Sequence, residues 1–504
     1  MKLLLKLPQC ICSEPCYNNH RNLTQKVAPL MPINTPENIS DNTSETSPEL
    51  LHFNQLNLPP ALLTRLDEIG YQQMTPVQSL SLPVILNSTD AVVRADTGSG
   101  KTTAFALTLL AKLEAKSFSP QALVLCPTRE LAHQVADEVR KLAKSMLNIK
   151  ILTLCGGEPS RIQTNSLEHG AHVLVGTPGR VLDHLEQRNV DLSMLTTLVL
   201  DEADRMLEMG FQDSLNAIVK HIPKTRQTLL FSATYPKNIA ALAEQVTTKA
   251  RNIEAIQEQA KPQIEQLFYA MNNEDSAQLV MNLLGDHQPE NCLVFCNTKN
   301  EVKDIFNTLR ANKFSVLALH GELEQKDRDQ AIIQFSNGSA RVLIATDVAS
   351  RGLDIAELDL VISVNMAHDL DTHTHRIGRT GRAGKEGVAI TLIAEKDDYK
   401  MRLLEDTFAE PIQIKPAPAL SNNKPLKANM STIQVSGGKK DKLRPGDIVG
   451  ALTKDNVLSA DDIGKIKLES TFGFVAVNSR LAKHALGLIN NNKIKGKKFR
   501  AKVL

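Results

Sequence analysis

The strongest constraint on the fold is a recurring order of three elements: a short apolar run, a loop with Gly, Thr or Asp, and an amphipathic helix. It recurs in ALVLCPTRELAHQVADEVRKL (122–142), HVLVGTPGRVLDHLEQ (172–187), CLVFCNTKNEVKDIFNTLR (292–310) and RVLIATDVASRGLD (341–354). Continuous apolar runs that alternate with helices are typical of parallel strands buried on both faces. The sequence therefore predicts an α/β fold whose ligands bind at loops leaving the carboxyl ends of strands.

Two softer stretches divide the 504 residues, which are too many for a single core. They are AIQEQAKPQ (255–263) and the proline-rich PIQIKPAPALSNNKPLKAN (411–429). The start of the chain is rich in Asn, Ser, Thr, Pro and Glu without periodicity, which is typical of disorder. We predict a disordered extension at 1–49, parallel-sheet domains at 50–255 and 261–410, a linker at 411–429 and a small domain at 430–504.

A candidate phosphate-binding loop lies in DAVVRADTGSGKTTAFALTLL (90–110), where a strand, a Gly-rich turn and a helix follow one another. Gly98 and Gly100 would let backbone N–H groups converge on phosphate oxygens at a helix N-terminus. Lys101 would reach the β- and γ-phosphates, and the Thr102 hydroxyl would bind Mg²⁺. Ala95 stands where the strict motif has glycine, but the order of elements still predicts a nucleotide site.

The segment TTLVLDEADRML (196–207) places Asp201 and Glu202 directly after an apolar strand. An acid at this point can hold Mg²⁺, directly or through water, and the next acid can orient an attacking water. Alone, the four residues DEAD could be an acidic helix N-terminus. Together with the phosphate loop they indicate hydrolysis of a nucleoside triphosphate.

Three arginines, Arg376, Arg379 and Arg382, recur at spacings of three in HTHRIGRTGRAG (373–384). Unpaired guanidinium groups are almost never buried, so we expect none of the three in the core. A guanidinium group suits the charge that develops on a transferred phosphoryl group. The alternative is a basic, solvent-facing turn. If the arginines act on the nucleotide, the active site lies between the two α/β domains.

An ordered set of motifs resembles the DEAD-box RNA helicases over roughly residues 51–410. The matching segments are TPVQ (75–78), ADTGSGKT (95–102), PTRELA (127–132), GG (156–157), TPGR (177–180), DEAD (201–204), SAT (232–234), VFCNT (294–298), ATDVASRGLD (345–354) and HRIGRTGR (375–382). The resemblance implies two RecA-like domains, ATP and Mg²⁺ as cofactors, and local opening of duplex RNA. An RNA clamp that locks on with ATP but does not unwind would carry the same motifs.

The resemblance also implies a role for individual residues. For catalysis these are Lys101, Asp201, Glu202, Arg379 and Arg382, with Thr102 and Asp201 at the metal. The nucleotide would be held by Phe53 and Gln78 at adenine, by Asp354 at ribose, and at the phosphates by Ala95, Asp96, Thr97, Gly98, Ser99, Gly100, Lys101 and Thr102. Coupling of hydrolysis to RNA would fall to Ser232, Thr234 and His375. The RNA backbone would contact Pro127, Thr128, Arg129, Gly157, Thr177, Gly179, Arg180, Thr298, Gln325, Arg328 and Thr346. Such contacts position RNA but carry no sequence information.

Positive charge is concentrated at the C-terminal end of the chain. Residues 430–504 hold 15 Lys/Arg and 6 Asp/Glu, a net charge of +9, whereas the whole chain has a formal charge of +2. Such asymmetry indicates a domain with a separate partner, such as a nucleic acid. A solvated lysine-rich surface that keeps a small domain soluble would have the same composition. Lys495, Lys497 and Lys498 are our candidate RNA contacts at this end.

Residues 430–504 predict the order βαββαβ of an RNA-recognition fold, with Ser479 capping the second helix and KKFRAKVL (497–504) as the last strand. FGFV (472–475) matches part of its aromatic signature, but Gln434 and Val477 replace the other aromatic positions. Phe472 and Phe474 are therefore either base-stacking or packing residues. The strings GGKKDKLRPGDIVGALT, IGKIKLES and KIKGKKFRAKVL resemble the C-terminal domain of bacterial DbpA-type helicases. That resemblance implies 23S ribosomal RNA and pre-50S particles as partners and ribosome assembly as the process.

The sequence argues against a membrane or secreted protein. No apolar run approaches the ~20 residues of a membrane span, and Lys6 and Pro8 interrupt the leucines of the N-terminus. Cys126, Cys155, Cys292 and Cys296 lie in or beside apolar strands, which indicates buried free thiols. We expect a cytoplasmic monomer. A passive RNA-binding protein with an inactive ATP site is disfavoured by the intact catalytic motifs.

Overall fold

The computed structural model describes residues 51–95, 98–255, 264–271, 275–350, 358–381, 387–408, 411–416, 418 and 424–504. The predicted extension at 1–49 lies outside these ranges, as does much of the predicted linker at 411–429. Four predicted site residues also lie outside the described residues, namely Asp96, Thr97, Asp354 and Arg382.

The first domain is a seven-stranded, entirely parallel sheet between two layers of helices. Its strands are β1 (Ala91–Arg94), β2 (Ala122–Leu125), β3 (Ile151–Leu154), β4 (Val173–Gly176), β5 (Thr197–Leu200), β6 (Gln227–Ser232) and β7 (Arg251–Glu254). Its helices are α1 (Pro60–Glu68), α2 (Pro76–Ile85), α3 (Lys101–Lys112), α4 (Arg129–Leu142), α5 (Ser160–Leu167), α6 (Pro178–Glu186), α7 (Ala203–Glu208), α8 (Gln212–Lys220) and α9 (Lys237–Val246). The strand order is β3-β4-β2-β5-β6-β1-β7.

The apolar runs of this domain form strands because both faces of the sheet are covered. Successive side chains point to opposite faces, so Val124 packs in one core and its neighbours Leu123 and Leu125 in the other. A strand buried on both faces needs an apolar side chain at every position, which the run ALVL supplies.

The second domain repeats this plan. Its strands are β8 (Ile264–Ala270), β9 (Cys292–Cys296), β10 (Val316–Leu319), β11 (Val342–Thr346), β12 (Leu360–Ser363), β13 (Gly387–Ile393) and β14 (Ile414–Lys415). They are all parallel, in the order β10-β11-β9-β12-β13-β8-β14. Its helices are α10 (Ser276–His287), α11 (Lys299–Ala311), α12 (Gln325–Ser336), α13 (Asp347–Ser350), α14 (Leu370–Ile377) and α15 (Asp398–Glu405). The two sheets confirm the predicted fold class.

The C-terminal domain is a four-stranded antiparallel sheet with two helices on one face. It comprises β15 (Met430–Val435), α16 (Pro445–Leu452), β16 (Ile463–Leu468), β17 (Gly473–Asn478), α17 (Ala482–Asn491), β18 (Lys493–Ile494), β19 (Lys497–Lys498) and β20 (Ala501–Val503). The sheet order is β16-β17-β15-β20, and β18 and β19 form a separate hairpin. The predicted βαββαβ order is present.

Two details of this domain were predicted wrongly. We expected one last strand in KKFRAKVL, but Lys497 and Lys498 belong to the hairpin, whose turn places Lys495 and Gly496 at φ of 53° and 78°. A Lys-Gly pair with positive φ at both residues closes a two-residue hairpin that matches the twist of its strands. Ser479 does not cap α17 either, because a short 3₁₀ turn over Ser479–Leu481 precedes that helix.

The open face of the C-terminal sheet packs against the second domain. Asn337, directly after α12, donates from Nδ2 to Thr432 Oγ1 at 2.8 Å, and Thr432 Oγ1 donates to Ser339 Oγ at 2.8 Å. Lys465 Nζ donates to the Ser336 carbonyl at 3.0 Å. Phe474 pairs with Gln434 on the face that carries Thr432, and it is 3% exposed. Of the alternatives left open for Phe474, the structure therefore shows packing.

The described cysteines are buried and free, as their apolar flanks predicted. Burial raises the pKa of the Cys155 thiol to about 12, so this group is inert at neutral pH. Among the described residues, no helix combines the length and apolar character that crossing a membrane requires.

Candidate ATP and RNA sites

The strand order of the first sheet separates the predicted site residues into two groups. Strands β5, β6 and β1 are neighbours, and their carboxyl ends lead into DEAD, SAT and the phosphate loop. Strands β3, β4 and β2 are neighbours at the other side and lead into GG, TPGR and PTRELA. The nucleotide motifs thus share one half of the sheet edge and the RNA motifs the other half.

The phosphate loop connects β1 to α3. Ala95 is buried, and its N–H donates to the Ser232 carbonyl at 3.1 Å, which links the loop to SAT. Gly98 and Gly100 have φ of 85° and 98°, which favour glycine. A Cβ atom on Gly100 would lie 2.6 Å from Gln78 Nε2. This loop therefore requires glycine both for its backbone conformation and for the close approach of Gln78.

Gln78 connects the start of α2 to the phosphate loop. Its Oε1 accepts from the Thr75 N–H at 2.9 Å, and its Nε2 donates to the Gly100 carbonyl at 3.1 Å. This one side chain therefore fixes the start of α2 against the phosphate loop. Phe53 lies in a 3₁₀ turn and is buried in the core of the first domain. Ser99 and Thr102 are half-buried beside Gly100.

Lys101 and Asp201 form the buried centre of the nucleotide half. The Lys101 Nζ donates to the Ala95 carbonyl at 2.9 Å. Asp201 is 3% exposed, and burial raises its pKa to about 7 although the Lys101 ammonium acts in the opposite direction. A carboxylate at this depth needs a positive partner to ionise. Together with the Thr102 hydroxyl it offers the oxygen donors that Mg²⁺ prefers, so the residues present fit this ion.

Glu202 lies at a strained point of the backbone between β5 and α7. Its φ is 51°, in the left-handed region that a residue with a side chain rarely adopts. Such a conformation costs roughly 1–3 kcal/mol and occurs most often at functional sites. The side chain is half-buried, so its carboxylate remains within reach of solvent.

Asp204, to which we assigned no role from the sequence, binds the SAT segment. Its Oδ2 accepts from the Ala233 N–H at 3.1 Å, the Thr234 N–H at 2.9 Å and the Thr234 hydroxyl at 3.0 Å. Burial alone would raise the pKa of Asp204, but hydrogen bonds from the Thr234 N–H and hydroxyl hold it below its usual range. The Ser232 hydroxyl also donates to the Thr234 carbonyl at 2.7 Å. The sequence signal that could have revealed this role is the position of Asp204 as the last residue of the DEAD motif.

Arg376 is a core residue, contrary to our expectation. It is 1% exposed, and Nε and Nη2 donate to the two carboxylate oxygens of Asp347 at 2.7 and 2.6 Å. It also donates to Asn297 Oδ1 at 2.8 Å and to the Asn365 carbonyl at 2.7 Å. The rule against buried guanidinium groups fails here because each of the three nitrogen atoms of this group donates a hydrogen bond. His375 is half-buried in the last turn of α14, and Arg379 is half-buried two residues after that helix ends.

The RNA half of the first domain brings three predicted loops together. Thr128 caps α4 by accepting from the Leu131 N–H at 3.3 Å, and Pro127 and Thr177 are buried beside it at the strand ends. A Cβ atom on Gly157 would lie 2.0 Å from Arg129 Nη1, so the Arg129 guanidinium covers this glycine. Arg180, which follows Gly179 in α6, donates from Nη1 to the Glu158 carbonyl at 3.1 Å.

In the second domain, the predicted RNA residues lie at the ends of neighbouring strands and on α12. Thr298 caps α11 with Glu301, and Thr346 ends β11. Gln325 Nε2 donates to Asp329 Oδ1 at 2.7 Å. Arg328 Nε donates at 2.7 Å to Oε1 of Glu130 in the first domain, a partner that the sequence did not reveal.

The C-terminal lysines lie on the β18–β19 hairpin. Lys495 Nζ donates to the Lys442 carbonyl at 2.9 Å and lies 3.2 Å from Asp447 Oδ2. Lys497 Nζ lies 3.5 Å from Asp441 Oδ1. Lys498 is exposed and, within the described residues, forms no ion pair. The hairpin and the adjacent turn together form a basic surface, which we call the hairpin surface. Its exposed basic residues are Lys439, Lys440, Lys442, Arg444, Lys493, Lys495, Lys497 and Lys498.

Comparisons with known proteins match all three domains. The DEAD/DEAH box helicase family matches residues 75–242, the helicase conserved C-terminal domain matches 275–384, and the DbpA RNA binding domain matches 432–503. The ATP-dependent RNA helicase DbpA of Escherichia coli (strain K12) is 50% identical over 90% of this chain and 99% of its own length. The protein of that name from Bacillus subtilis (strain 168) is 34% identical over 89% of this chain and 98% of its own.

A solved structure of S. cerevisiae Dbp5 bound to RNA and ADP BeF3 resembles the chain with a TM-score of 0.65. It is 30% identical and covers 73% of this chain and 95% of its own length.

Proposed function

Because this chain belongs to the DEAD-box ATP-dependent RNA helicases of the DbpA type, we propose that it remodels 23S ribosomal RNA in pre-50S particles during ribosome assembly. One observation carries the choice of RNA: the complete set of ATP and RNA motifs is joined to a basic domain matched as a DbpA RNA binding domain. The two α/β domains would contact backbone only, so the selection of RNA falls to the C-terminal domain.

The chain's own residues suggest how ATP is handled. To bind the β- and γ-phosphates, Lys101 exchanges the Ala95 carbonyl for phosphate oxygens. Glu202 orients the attacking water, and its half-exposed position gives that water access. Thr102 and Asp201 would hold Mg²⁺, which when bound offsets charge on the transferred phosphoryl group. Arg379 and Arg382 would stabilise the transferred phosphoryl group from the second domain, and hydrolysis would then depend on closure of the two domains.

Coupling to RNA would run through the hydrogen bonds of SAT. The Ser232 carbonyl is bonded to the phosphate loop, and Thr234 is bonded to Asp204 directly after the catalytic acids. A change at the phosphates can therefore shift the segment that follows β6. The loops proposed to bind RNA follow strands of the same sheet, which supports transmission through a single rigid sheet.

We assign RNA binding by the C-terminal domain to the hairpin surface, not to the open face of the sheet. That face is occupied by the second domain around Thr432. Lys498 is ready for a phosphate contact, whereas Lys495 and Lys497 would exchange Asp447 and Asp441 for phosphate oxygens. Such exchange favours RNA because several phosphates act together and counterions are released.

The test uses the full chain, since removal of residues 430–504 would uncover the second-domain surface that the sheet contacts. ATP turnover and duplex displacement are measured with tiled fragments of 23S ribosomal RNA and with length-matched unrelated hairpins. One fragment should half-saturate turnover at a concentration at least tenfold below the unrelated RNAs. In the variant K495A/K497A/K498A this preference should fall, and the salt dependence should flatten by about 0.7 per lost contact on single strands.

Exposed lysines elsewhere in the domain provide the matched control, K454A/K483A, which should retain the preference. If no fragment is preferred by the wild-type chain, the ribosomal assignment is wrong. If turnover responds to RNA but no duplex is displaced, the protein is an RNA clamp.

A further inference from the structure

Gln163 is a buried amide at the centre of the RNA half of the first domain. It lies on α5, a surface helix, yet it is only 4% exposed. Burial of an amide is costly unless its polar atoms are hydrogen-bonded. Its partners explain why a glutamine is found at this position.

All the polar atoms of the Gln163 side chain are engaged. Nε2 donates to the Cys155 carbonyl at 2.8 Å and to Glu158 Oε2 at 3.3 Å. Oε1 accepts from Arg180 Nη1 at 3.2 Å and from His184 Nε2 at 2.9 Å. One side chain therefore joins the segment that contains Gly157 to the loop and helix that carry Arg180.

His184 fixes the orientation of this amide. The ring is fully buried, and its Nδ1 accepts from Asn189 Nδ2 at 3.2 Å, so the ring proton lies on Nε2. If the Gln163 amide were flipped, its NH₂ group would face both the His184 N–H and the Arg180 guanidinium group. Three groups of donors would then meet without an acceptor, so the observed orientation is the stable one.

The connected groups are those that would contact the RNA backbone. The Cys155 carbonyl precedes Gly156 and Gly157, and the Arg180 guanidinium also bonds the Glu158 carbonyl that follows them. Without Gln163, Arg180 would retain one anchor on this loop and the Cys155 carbonyl would be left buried without its side-chain donor. The spacing between the Gly157 loop and Arg180 would then no longer be held at a fixed value.

We propose that Gln163 is a positioning residue for RNA binding: it fixes the Gly157 loop and Arg180 at the separation that the RNA backbone requires. The inference rests on the RNA contacts proposed above for Gly157 and Arg180. Gln163 itself touches no RNA. Its loss should therefore weaken RNA binding while the nucleotide half of the sheet edge is unaffected.

The experiment uses the full chain and an oligouridylate as a probe without sequence preference. In Q163L, the oligouridylate concentration for half-maximal ATP turnover should rise about tenfold, because the hydrogen bonds through which Gln163 holds Arg180 and the Gly157 loop are lost. Turnover at saturating RNA and affinity for ATP should change less than twofold. Q163E keeps the acceptors for Arg180 and His184 but turns a carboxylate oxygen toward the Cys155 carbonyl and the Glu158 carboxylate, so it should release the Gly157 loop and also raise the RNA requirement.

The matched control is Q212L. Gln212 is a half-buried glutamine on α8 whose amide donates to Asn216 Oδ1 of the same helix at 3.0 Å. A general loss of stability in Q163L would lower the melting temperature and turnover together but leave the slope of binding against salt unchanged. Loss of a positioned phosphate contact flattens that slope by about 0.7. Q163E, with a polar group retained at the site, keeps the test decisive if Q163L does not fold.

A double variant separates this inference from its premise. If Gln163 acts through Arg180 and the Gly157 loop, Q163L/R180A should lose clearly less affinity for the oligouridylate than the sum of the two single losses. Additive losses, or an unchanged RNA requirement in Q163L beside a weakened R180A, would overturn the role of Gln163 alone. An unchanged RNA requirement in R180A would overturn the proposed RNA contact and this inference with it.

Discussion

Replacement of Asp204 by asparagine should uncouple ATP turnover from duplex displacement. Asp204 Oδ2 accepts three hydrogen bonds from Ala233 and Thr234. The asparagine side chain in D204N would retain one acceptor oxygen but no charge, and a charge-assisted hydrogen bond is roughly twice as strong as a neutral one. At about 1 kcal/mol lost per bond, the attachment of SAT to DEAD weakens by about 3 kcal/mol.

The assay measures base pairs displaced per ATP hydrolysed, in D204N and in the control D213N, an exposed aspartate on α8. The 3 kcal/mol corresponds to about a hundredfold loss of preference for the coupled arrangement, so displacement per ATP should fall at least tenfold. ATP affinity should be unchanged, because Lys101 and the phosphate loop are intact. An unaltered ratio in D204N would refute the assignment of coupling to these hydrogen bonds.

The pH dependence supplies an independent check. The pKa of Asp204 is lower in the folded protein than in the unfolded chain. Its charge therefore stabilises the fold above the unfolded pKa of about 3.9, and this stabilisation is lost as pH falls through the folded pKa. The difference in melting temperature between wild type and D204N should be full at neutral pH and shrink only below about pH 4.

Three further predictions follow from individual residues. E202Q should bind ATP normally but lose hydrolysis by orders of magnitude, measured as product release beside nucleotide titration, because water orientation is lost; near-normal turnover would remove Glu202 from catalysis. R376A should lower the free energy of unfolding by about 3–5 kcal/mol in denaturant titration, since the buried guanidinium group and its hydrogen bonds are lost and the half-buried Asp347 carboxylate is left without its partner; a loss under 1 kcal/mol would contradict this. Burial, and secondly the charge of Arg376, lower the pKa of His373 to about 4. The free energy of unfolding should therefore fall as the pH is lowered from about 6.5 to 4, and H373Q should lessen this decline.

The fold was predictable because the apolar runs and helices alternate in a local pattern. Each run is short, apolar at every position and followed by a polar loop, which specifies a parallel strand whatever its neighbours. The strand order was not predictable, because β3 and β2 become near neighbours only through β4. The separation of the predicted ATP loops from the predicted RNA loops along one sheet edge therefore became visible only in the structure.

The residues that the sequence failed to reveal are those whose role depends on distant partners. Arg376 carries the charge of an interface residue, and only the approach of Asp347, 29 positions away, allows it into the core. Gln163 has no motif around it, since its four partners come from other segments. The Lys-Gly turn at 495–496, in contrast, was a local signal for a hairpin that we did not use.

The docking of the C-terminal sheet on the second domain supports the assignment of RNA selection and RNA remodelling to separate domains. A domain that bound RNA through its open sheet face would have to release the second domain first, because Thr432 and Phe474 cannot face both partners. Binding through the hairpin surface leaves the contacts of Asn337 and Ser339 in place.

The C-terminal domain can then hold its RNA while it remains attached to the second α/β domain, whose Arg328 reaches Glu130 of the first. The duplex to be opened is thereby kept at high effective concentration beside the RNA half of the sheet edge. Discrimination among RNAs and their remodelling can thus proceed at the same time on one molecule.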